Sequence, residues 1–183
     1  MKTFISLLRG INVSGQNKIR MAELTRLYEE LNFINVFTYI QSGNVIFDCA
    51  EQDPAPLARL IEAEIVRSLG ASVRVLLRDK NRFQHIIDSN PFSNQRNEDP
   101  EKLHVTFLSD SPPESVLSNL SVPSGSADEF MVYDKEIYLF CPNGYGRTKI
   151  SNSFFERKLS VSATTRNWKT VKALNEIANQ RRP

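Results

Sequence analysis

Asn35-Val36-Phe37-Thr38-Tyr39-Ile40-Gln41-Ser42-Gly43-Asn44-Val45-Ile46-Phe47-Asp48-Cys49 holds two β-rich runs around Ser42-Gly43. Val, Ile, Phe, Tyr and Thr suit the pleated, half-buried surface of a strand. Glycine accepts the positive φ that a tight turn requires. The stretch therefore predicts a hairpin of strands over 35–41 and 44–49 with a two-residue connection. Its flanks decide what the hairpin belongs to. Upstream, Met21, Leu24, Leu27, Tyr28 and Leu31 recur at helical spacing, which predicts an amphipathic helix over 21–32. Before that helix, residues 3–9 read as a short apolar strand. Downstream, Asp53-Pro54 reads as an N-cap followed by proline at the first helical position. Leu57, Leu60, Ile61 and Ile65 carry the helix, and Gly70 ends it. Residues 72–78 (SVRVLLR) supply a fourth strand.

The order over 3–78 is thus strand, helix, strand, strand, helix, strand, the split βαβ or ferredoxin-like pattern. It predicts a four-stranded antiparallel sheet with two helices on one face. Beyond it, 79–89 reads as a helix stopped by Asn90-Pro91, and the polar run 93–101 as a linker or exposed loop. Residues 102–108 alternate like a strand. Ser111-Pro112-Pro113-Glu114 reads as a capping box for a helix through Val116, Leu117 and Leu120. Residues 128–133 and 136–141 form a second hairpin around Asp134-Lys135, followed by helices over 151–159 and from Trp168 on. The fold class expected is α+β. A ferredoxin-like part over 1–78 and a helix and linker over 79–101 precede a smaller α+β part over 102–183. That last part runs βαββα plus a C-terminal helix, unless 159–164 supplies one more strand. The two halves share an order of elements, with no repeat visible residue by residue.

Bulk composition narrows the class. A chain of 183 residues with 40% hydrophobic and 24% charged residues suits one domain or two small ones. No apolar run approaches the ~18 residues of a membrane span. Met1-Lys2-Thr3-Phe4 leads straight into a strand, with no apolar segment and small-residue cleavage site, which predicts a cytosolic protein. Cys49 and Cys141 end apolar runs and read as two reduced, buried thiols. Net charge is only +2, but residues 143–183 hold nine Lys/Arg and two Asp/Glu, against 14 and 19 in the first 142. A basic C-terminal third attracts anions, nucleic acid included; a solvated basic helix is the simpler explanation.

The polar connections carry the candidate site. In a split βαβ sheet the loop after the first strand and the turn between strands two and three lie at the same end. Here these are Gly10–Arg20 and Gln41-Ser42-Gly43-Asn44, both polar and glycine-bearing. The loop offers Arg9 at a strand end, Gly10 and Gly15, the amides of Asn12, Gln16 and Asn17, and Lys18 and Arg20 beside a helix N-terminus. That end of a helix favours anions. The loop matches neither the P-loop nor the dinucleotide-binding glycine pattern. A loop whose Asn and Gly residues satisfy their own backbone is the competing reading. Asn143-Gly144-Tyr145-Gly146-Arg147-Thr148-Lys149 is a second glycine- and base-bearing loop. Thr164-Thr165-Arg166-Asn167-Trp168 opens the last helix, with threonine as N-cap, Trp168 in the core and Arg166 freer to act.

The catalytic inventory is thin. His85 and His104 have no partners at metal-ligand spacing, so no metal site is expected, and no cofactor motif appears. No pattern pairs a nucleophile with a base, and there is no nucleophile elbow.

The segments RGINVSGQNKIRMAEL (9–24), TYIQSGNVIF (38–47), NPF (90–92) and TTRNWKTV (164–171) resemble the bacterial family called domain of unknown function 1697. The likeness runs through the chain in order. It implies a two-part α+β protein with a ferredoxin-like N-terminal half, and no particular activity. The family usually has glycine where Ser14 stands and proline where Arg20 stands. A polar shared signature implies a polar site with Arg9–Lys18 on one wall and Gln41–Asn44 on another. Thr165, Arg166 and Asn167 would contribute from the second half. The ligand expected is a small molecule bearing a phosphate or carboxylate. Arg9, Lys18, Lys149 and Arg166 would supply charge, and Asn12, Gln41, Ser42, Asn44, Thr165 and Asn167 hydrogen bonds. Gly10 and Gly43 would give close backbone approach. A nucleic-acid-binding module using the basic third and an interaction protein remain as alternatives. No membrane partner is expected; catalysis and oligomeric state stay open.

Overall fold

The computed structural model describes residues 1–13, 17–51 and 53–181. Two compact units divide the chain, one from Met1–Gln84 with the residues from Leu174 on, the other His85–Ala173.

In the first unit, β1 (Lys2–Leu8), α1 (Met21–Glu30), β2 (Ile34–Tyr39), β3 (Asn44–Cys49), α2 (Pro54–Leu69) and β4 (Val75–Asp79) follow the expected order. The sheet runs β2-β3-β1-β4 and every pair is antiparallel. One face packs Phe4, Leu8, Val45, Phe47 and Leu77 against Leu24, Leu27 and Tyr28 of α1 and Leu57, Ile61 and Ile65 of α2. The apolar spacing of both helices thus becomes a single buried seam. Ile5, Leu7, Ile46 and Leu76 on the other face are buried too, so β3 is buried throughout, its Asn44 and Asp48 included. Asp53 caps α2 by accepting from Ala55 N, and Gly70 closes it at φ 64°. The hairpin differs from the expected two-residue turn. β2 ends at Tyr39, because Ile40 sits at φ 49°, and four residues, Ile40–Gly43, make the connection.

α3 (Lys80–Asp88) begins in the first unit and ends in the second. Asn90-Pro91 does stop it, but the polar run beyond is only partly loop. Asn90 Oδ1 accepts from Phe92 and Ser93 N and starts a one-turn helix, α4 (Pro91–Asn94). Phe92 is buried and stacks on Phe140 at 6.0 Å. Arg96 lies over both rings and pairs with Glu98 and Glu129.

The second unit continues with β5 (Leu103–Leu108), α5 (Glu114–Leu117), β6 (Glu129–Tyr133), β7 (Glu136–Phe140), α6 (Asn152–Leu159) and β8 (Ala163–Asn167), before α7 (Trp168–Asn179). Asp134 at φ 55° and Lys135 make the expected two-residue turn. The capping box at 111–114 does not form. Ser111 Oγ instead donates to Asp134 Oδ1, Pro113 stands at the N-cap, and the helix is a single turn. Nor do Thr164-Thr165 open a helix. They are the middle of β8, where β-branched side chains pair with Phe107 and Thr106 across the ladder. The cap of α7 is Asn167, whose Oδ1 accepts from Thr170 N at 2.8 Å.

β8 completes a second four-stranded sheet, β6-β7-β5-β8, with the same topological order as the first. The correspondence reaches individual residues. Ile5 of β1 faces Arg78, and Val105 of β5 faces Arg166. Each arginine precedes an acid or amide, Asp79 or Asn167, that caps the following helix three residues on.

Candidate functional site

The loop after β1 and the β2–β3 turn meet in the first unit, at the same end of the sheet. Leu8 N donates to Gly43 O at 2.8 Å, and Asn12 Nδ2 donates to Gln41 O at 2.9 Å. Asn12 is the joint. Its Nδ2 also donates to Ile19 O, its Oδ1 accepts from Ile19 N, and its own N–H reaches Asn17 O. Asparagine tolerates the left-handed φ of 54° found there. The amide predicted to meet a ligand is therefore spent on holding the loop to the turn.

Asn44 behaves likewise: it is buried, and its Nδ2 donates to Tyr39 O and Ser42 Oγ, closing the turn from inside. Gly43 touches the core rather than a surface. Gly10 has φ 69° and open space where a Cβ would stand, and its carbonyl accepts from Asn17 Nδ2. Arg9 is half-buried, and its backbone extends the ladder toward β4 through Arg74 O at 2.9 Å. Ser14, Gly15 and Gln16 lie outside the described residues.

What remains open is a groove of about 810 Å³ lined by Asn12, Lys18, Ile19, Arg20, Met21, Glu23 and Gln41. That volume suits a small molecule. Lys18 and Arg20 are exposed. They stand at the start of α1, where free N–H groups and the helix dipole favour negative charge. Glu23 Oε2 accepts from Arg20 N at 3.2 Å, so one carboxylate oxygen already sits at that helix end. Of the expected site residues, the groove gathers Asn12, Lys18 and Gln41. Arg20 was read as a base at that helix entry, whereas Met21 and Glu23 were not singled out, although a first helical turn following a polar loop is a readable signal.

The second-unit residues are engaged within their own unit. Lys149 Nζ donates to Ser124 O at 3.1 Å. Asp128 Oδ2 accepts from Ser126 Oγ and Thr148 Oγ1, both at 2.7 Å, so the 143–149 loop clasps the segment before β6. Thr165 Oγ1 bridges Thr106 Oγ1 and Asn152 Oδ1 at 2.7 and 2.6 Å. Arg166 is buried, not free. Its Nη1 donates to Thr164 Oγ1 and Thr165 O, and burial pulls its pKa down to about 10, countered by the Tyr145 hydroxyl.

His104, opposite Asn167 across the ladder, is 8% exposed, and its ring stacks on Tyr145 at 4.7 Å. Its Nδ1 is buried with no hydrogen-bond partner among the described residues. Burial lowers its pKa, more than the Lys102 carbonyl raises it. A histidine with a lowered folded pKa binds fewer protons folded than unfolded. Its contribution to stability is therefore full above the ordinary value of ~6.5 and is lost as pH falls from there through the folded pKa. Urea unfolding at pH 7.5 and 5.5 should show this loss, and His104→Phe should shrink it. An unchanged difference would mean other groups set the slope. Among the described residues, no three His, Cys, Asp or Glu gather as a metal-ligating group. Cys49 and Cys141 are free and buried. Among the described residues, no helix is long and apolar enough to cross a membrane.

Two ferredoxin-like sheets with helices, and a cationic groove at one sheet end, define an α+β protein built from two similar units. The chain belongs to the family described as protein of unknown function DUF1697, whose model matches residues 1–138. Its fold is similar to that of conserved bacterial protein SP0830 from Streptococcus pneumoniae. The TM-score is 0.72 at 23% identity, over 97% of this chain and 98% of that one. No curated protein matches.

Proposed function

We propose that the protein is a cytosolic binding protein for a small molecule bearing a phosphate or carboxylate, held in the groove at the start of α1. The groove itself carries the reading: about 810 Å³ of open space with Lys18 and Arg20 on its walls at a helix N-terminus. Asn12 and Asn44 act indirectly, by fixing the loop and turn that shape the walls. Gln41 offers its side-chain amide to the ligand, and Met21 an apolar contact. Among the described residues that line the groove, no nucleophile is paired with a base.

The test is thermal unfolding against nucleotides, sugar phosphates, carboxylates, acyl carriers and short oligonucleotides, at fixed salt and protein concentration. A ligand at a hundred times its Kd stabilises by ~2.7 kcal/mol, or roughly 5–11 °C for a chain of this size. The shift should vanish in Lys18→Ala/Arg20→Ala, whose basal Tm should stay close to wild type because both side chains are exposed. A shift that survives the double substitution places the ligand elsewhere. Exposed Arg157, Lys158, Lys169 and Lys172 favour nucleic acid as the second reading. Steeply salt-dependent oligonucleotide binding would support it.

A further inference from the structure

In the second unit, the β5 start, the β7 end and the β8 end meet at one end of the sheet, as the ladders pair Leu103 with Phe140 and His104 with Asn167. Four features converge there. The first is His104, nine-tenths buried, with Nδ1 unpartnered among the described residues. Leaving a buried polar nitrogen unpaired is costly, and most such groups in folded proteins have a partner. The second is the N-terminus of α7, a 12-residue helix. Its cap, Asn167, is the direct cross-strand neighbour of His104, so both side chains project from the same side of the sheet.

The third feature is charge. Lys169 stands in the first turn of α7, where no acidic residue occurs. A cation there works against the helix dipole, and an anion would reverse that penalty. Arg147, two residues after Tyr145 in the same short turn, is exposed. The fourth is the cover. Tyr145 lies over the imidazole between Gly144, at φ 86°, and Gly146. Gly146 has neither a positive φ nor any atom within 4 Å of where its Cβ would be, so neither backbone nor packing demands glycine there. Open space beside a stacked ring is what a ligand displacing that ring would use.

We propose that this end of the second sheet is a binding site for a phosphate monoester, covered by Tyr145 in the free protein and distinct from the groove at α1. His104 Nδ1, as its N–H, donates to one phosphate oxygen. The first-turn amides of α7 take a second, and Arg147 and Lys169 hold the charge from outside. A tetrahedral dianion suits this spread of donors better than a flat carboxylate. Tyr145, once displaced, offers its ring face to a base, which makes a mononucleotide the fitting class of ligand.

The experiment uses the full chain with adenosine monophosphate and inorganic phosphate as probes, at millimolar concentration. His104 imidazole nitrogens are followed by NMR, and affinity is measured by calorimetry. The expected result is a moved Nδ1 resonance with either probe. Arg147→Ala/Lys169→Ala should weaken binding about tenfold or more, since both side chains are exposed and the fold should persist. Lys18→Ala/Arg20→Ala should leave the movement of the His104 resonance unchanged, which separates this site from the groove. Unmoved His104 resonances with both probes would overturn the proposal. So would binding lost in the Lys18/Arg20 variant and retained in the Arg147/Lys169 variant.

Discussion

Gly43→Ala should lower the midpoint of thermal unfolding by roughly 6–12 °C, on an expected cost of ~3 kcal/mol at ~2–4 °C per kcal/mol. Two separate penalties add. Gly43 sits at φ 76°, where any side chain costs ~1–2 kcal/mol. A Cβ there would lie 2.7 Å from Ile11 Cδ1 and 2.8 Å from Leu8 Cβ. The first atom is the tip of a side chain and can yield, but Ile11 is only 1% exposed and has little room. The second is fixed to a strand whose N–H donates to Gly43 O itself, so relief breaks the contact that holds the turn. Overpacking of this kind costs ~1–3 kcal/mol. Gly10→Ala is the control: φ is 69°, but a Cβ would meet nothing within 4 Å, so only the backbone penalty applies. Equal shifts for the two variants, in thermal and urea unfolding followed by circular dichroism, would refute the packing half of the argument. Because Gly43 positions Gln41 and, through Asn12, the loop bearing Lys18, ligand binding in the groove should fall with stability in Gly43→Ala. In Gly10→Ala it should not.

That coupling also shows which features the residues disclosed. Strands and helices of the first unit were legible because their apolar spacing is local, and topology alone put the β1 loop and the β2–β3 turn at one end. What each polar group does there was not legible. Asn12 spends its amide on Ile19, seven residues away, and on Gln41, 29 residues away, and only the folded chain brings those backbones to it. Asn44, Asn90 and Asn167 likewise hold turns and helix starts. A polar shared signature is thus compatible with structure as well as with ligands, since side-chain amides are the groups best able to replace missing backbone partners. The fourth strand of the second unit, an alternative over 159–164 while 164–168 reads as a helix start, is displaced for a related reason. Threonine favours both N-caps and strands, and the choice was settled by β5, nearly 60 residues earlier, which offers Thr106 to Thr165. The correspondence of Arg78-Asp79 with Arg166-Asn167 is invisible until register sets one pair beside Ile5 and the other beside Val105.

Asp48→Ala should be the most damaging single substitution of a charged residue, at ~3 kcal/mol or more, the range for removing one partner from a buried, hydrogen-bonded charge. The carboxylate is fully buried and joins three distant parts of the first unit. Oδ1 accepts from Thr3 Oγ1 at 2.6 Å, at the start of β1, and Oδ2 accepts from Asn35 Nδ2 at 2.8 Å. Asn35 has φ 53° and sits where the β2–β3 register shifts between Ile34 and Phe37, so this bond fixes the bulge. The third part is Arg181, just beyond α7, whose Nη1 lies 4.0 Å from Oδ1. Burial lowers the Arg181 pKa and Asp48 opposes that shift, so the carboxylate is what favours the buried cation. Alanine would leave a hydroxyl, an amide and a guanidinium facing a small cavity. Asp48→Asn keeps one acceptor and loses the charge, and should cost about half as much. Hydrogen exchange should localise the effect, with faster exchange in β2 near Asn35 and in the last turn of α7. The pairwise term comes from a double-mutant cycle with Arg181→Ala. At 4.0 Å the pair is too long for a direct hydrogen bond, so the coupling should be ~1 kcal/mol, well below the whole Asp48→Ala cost, with the bonds to Thr3 and Asn35 supplying the remainder. A coupling of zero, with protection in α7 unchanged, would show that Arg181 is held by other contacts and that Asp48 serves only the two strands.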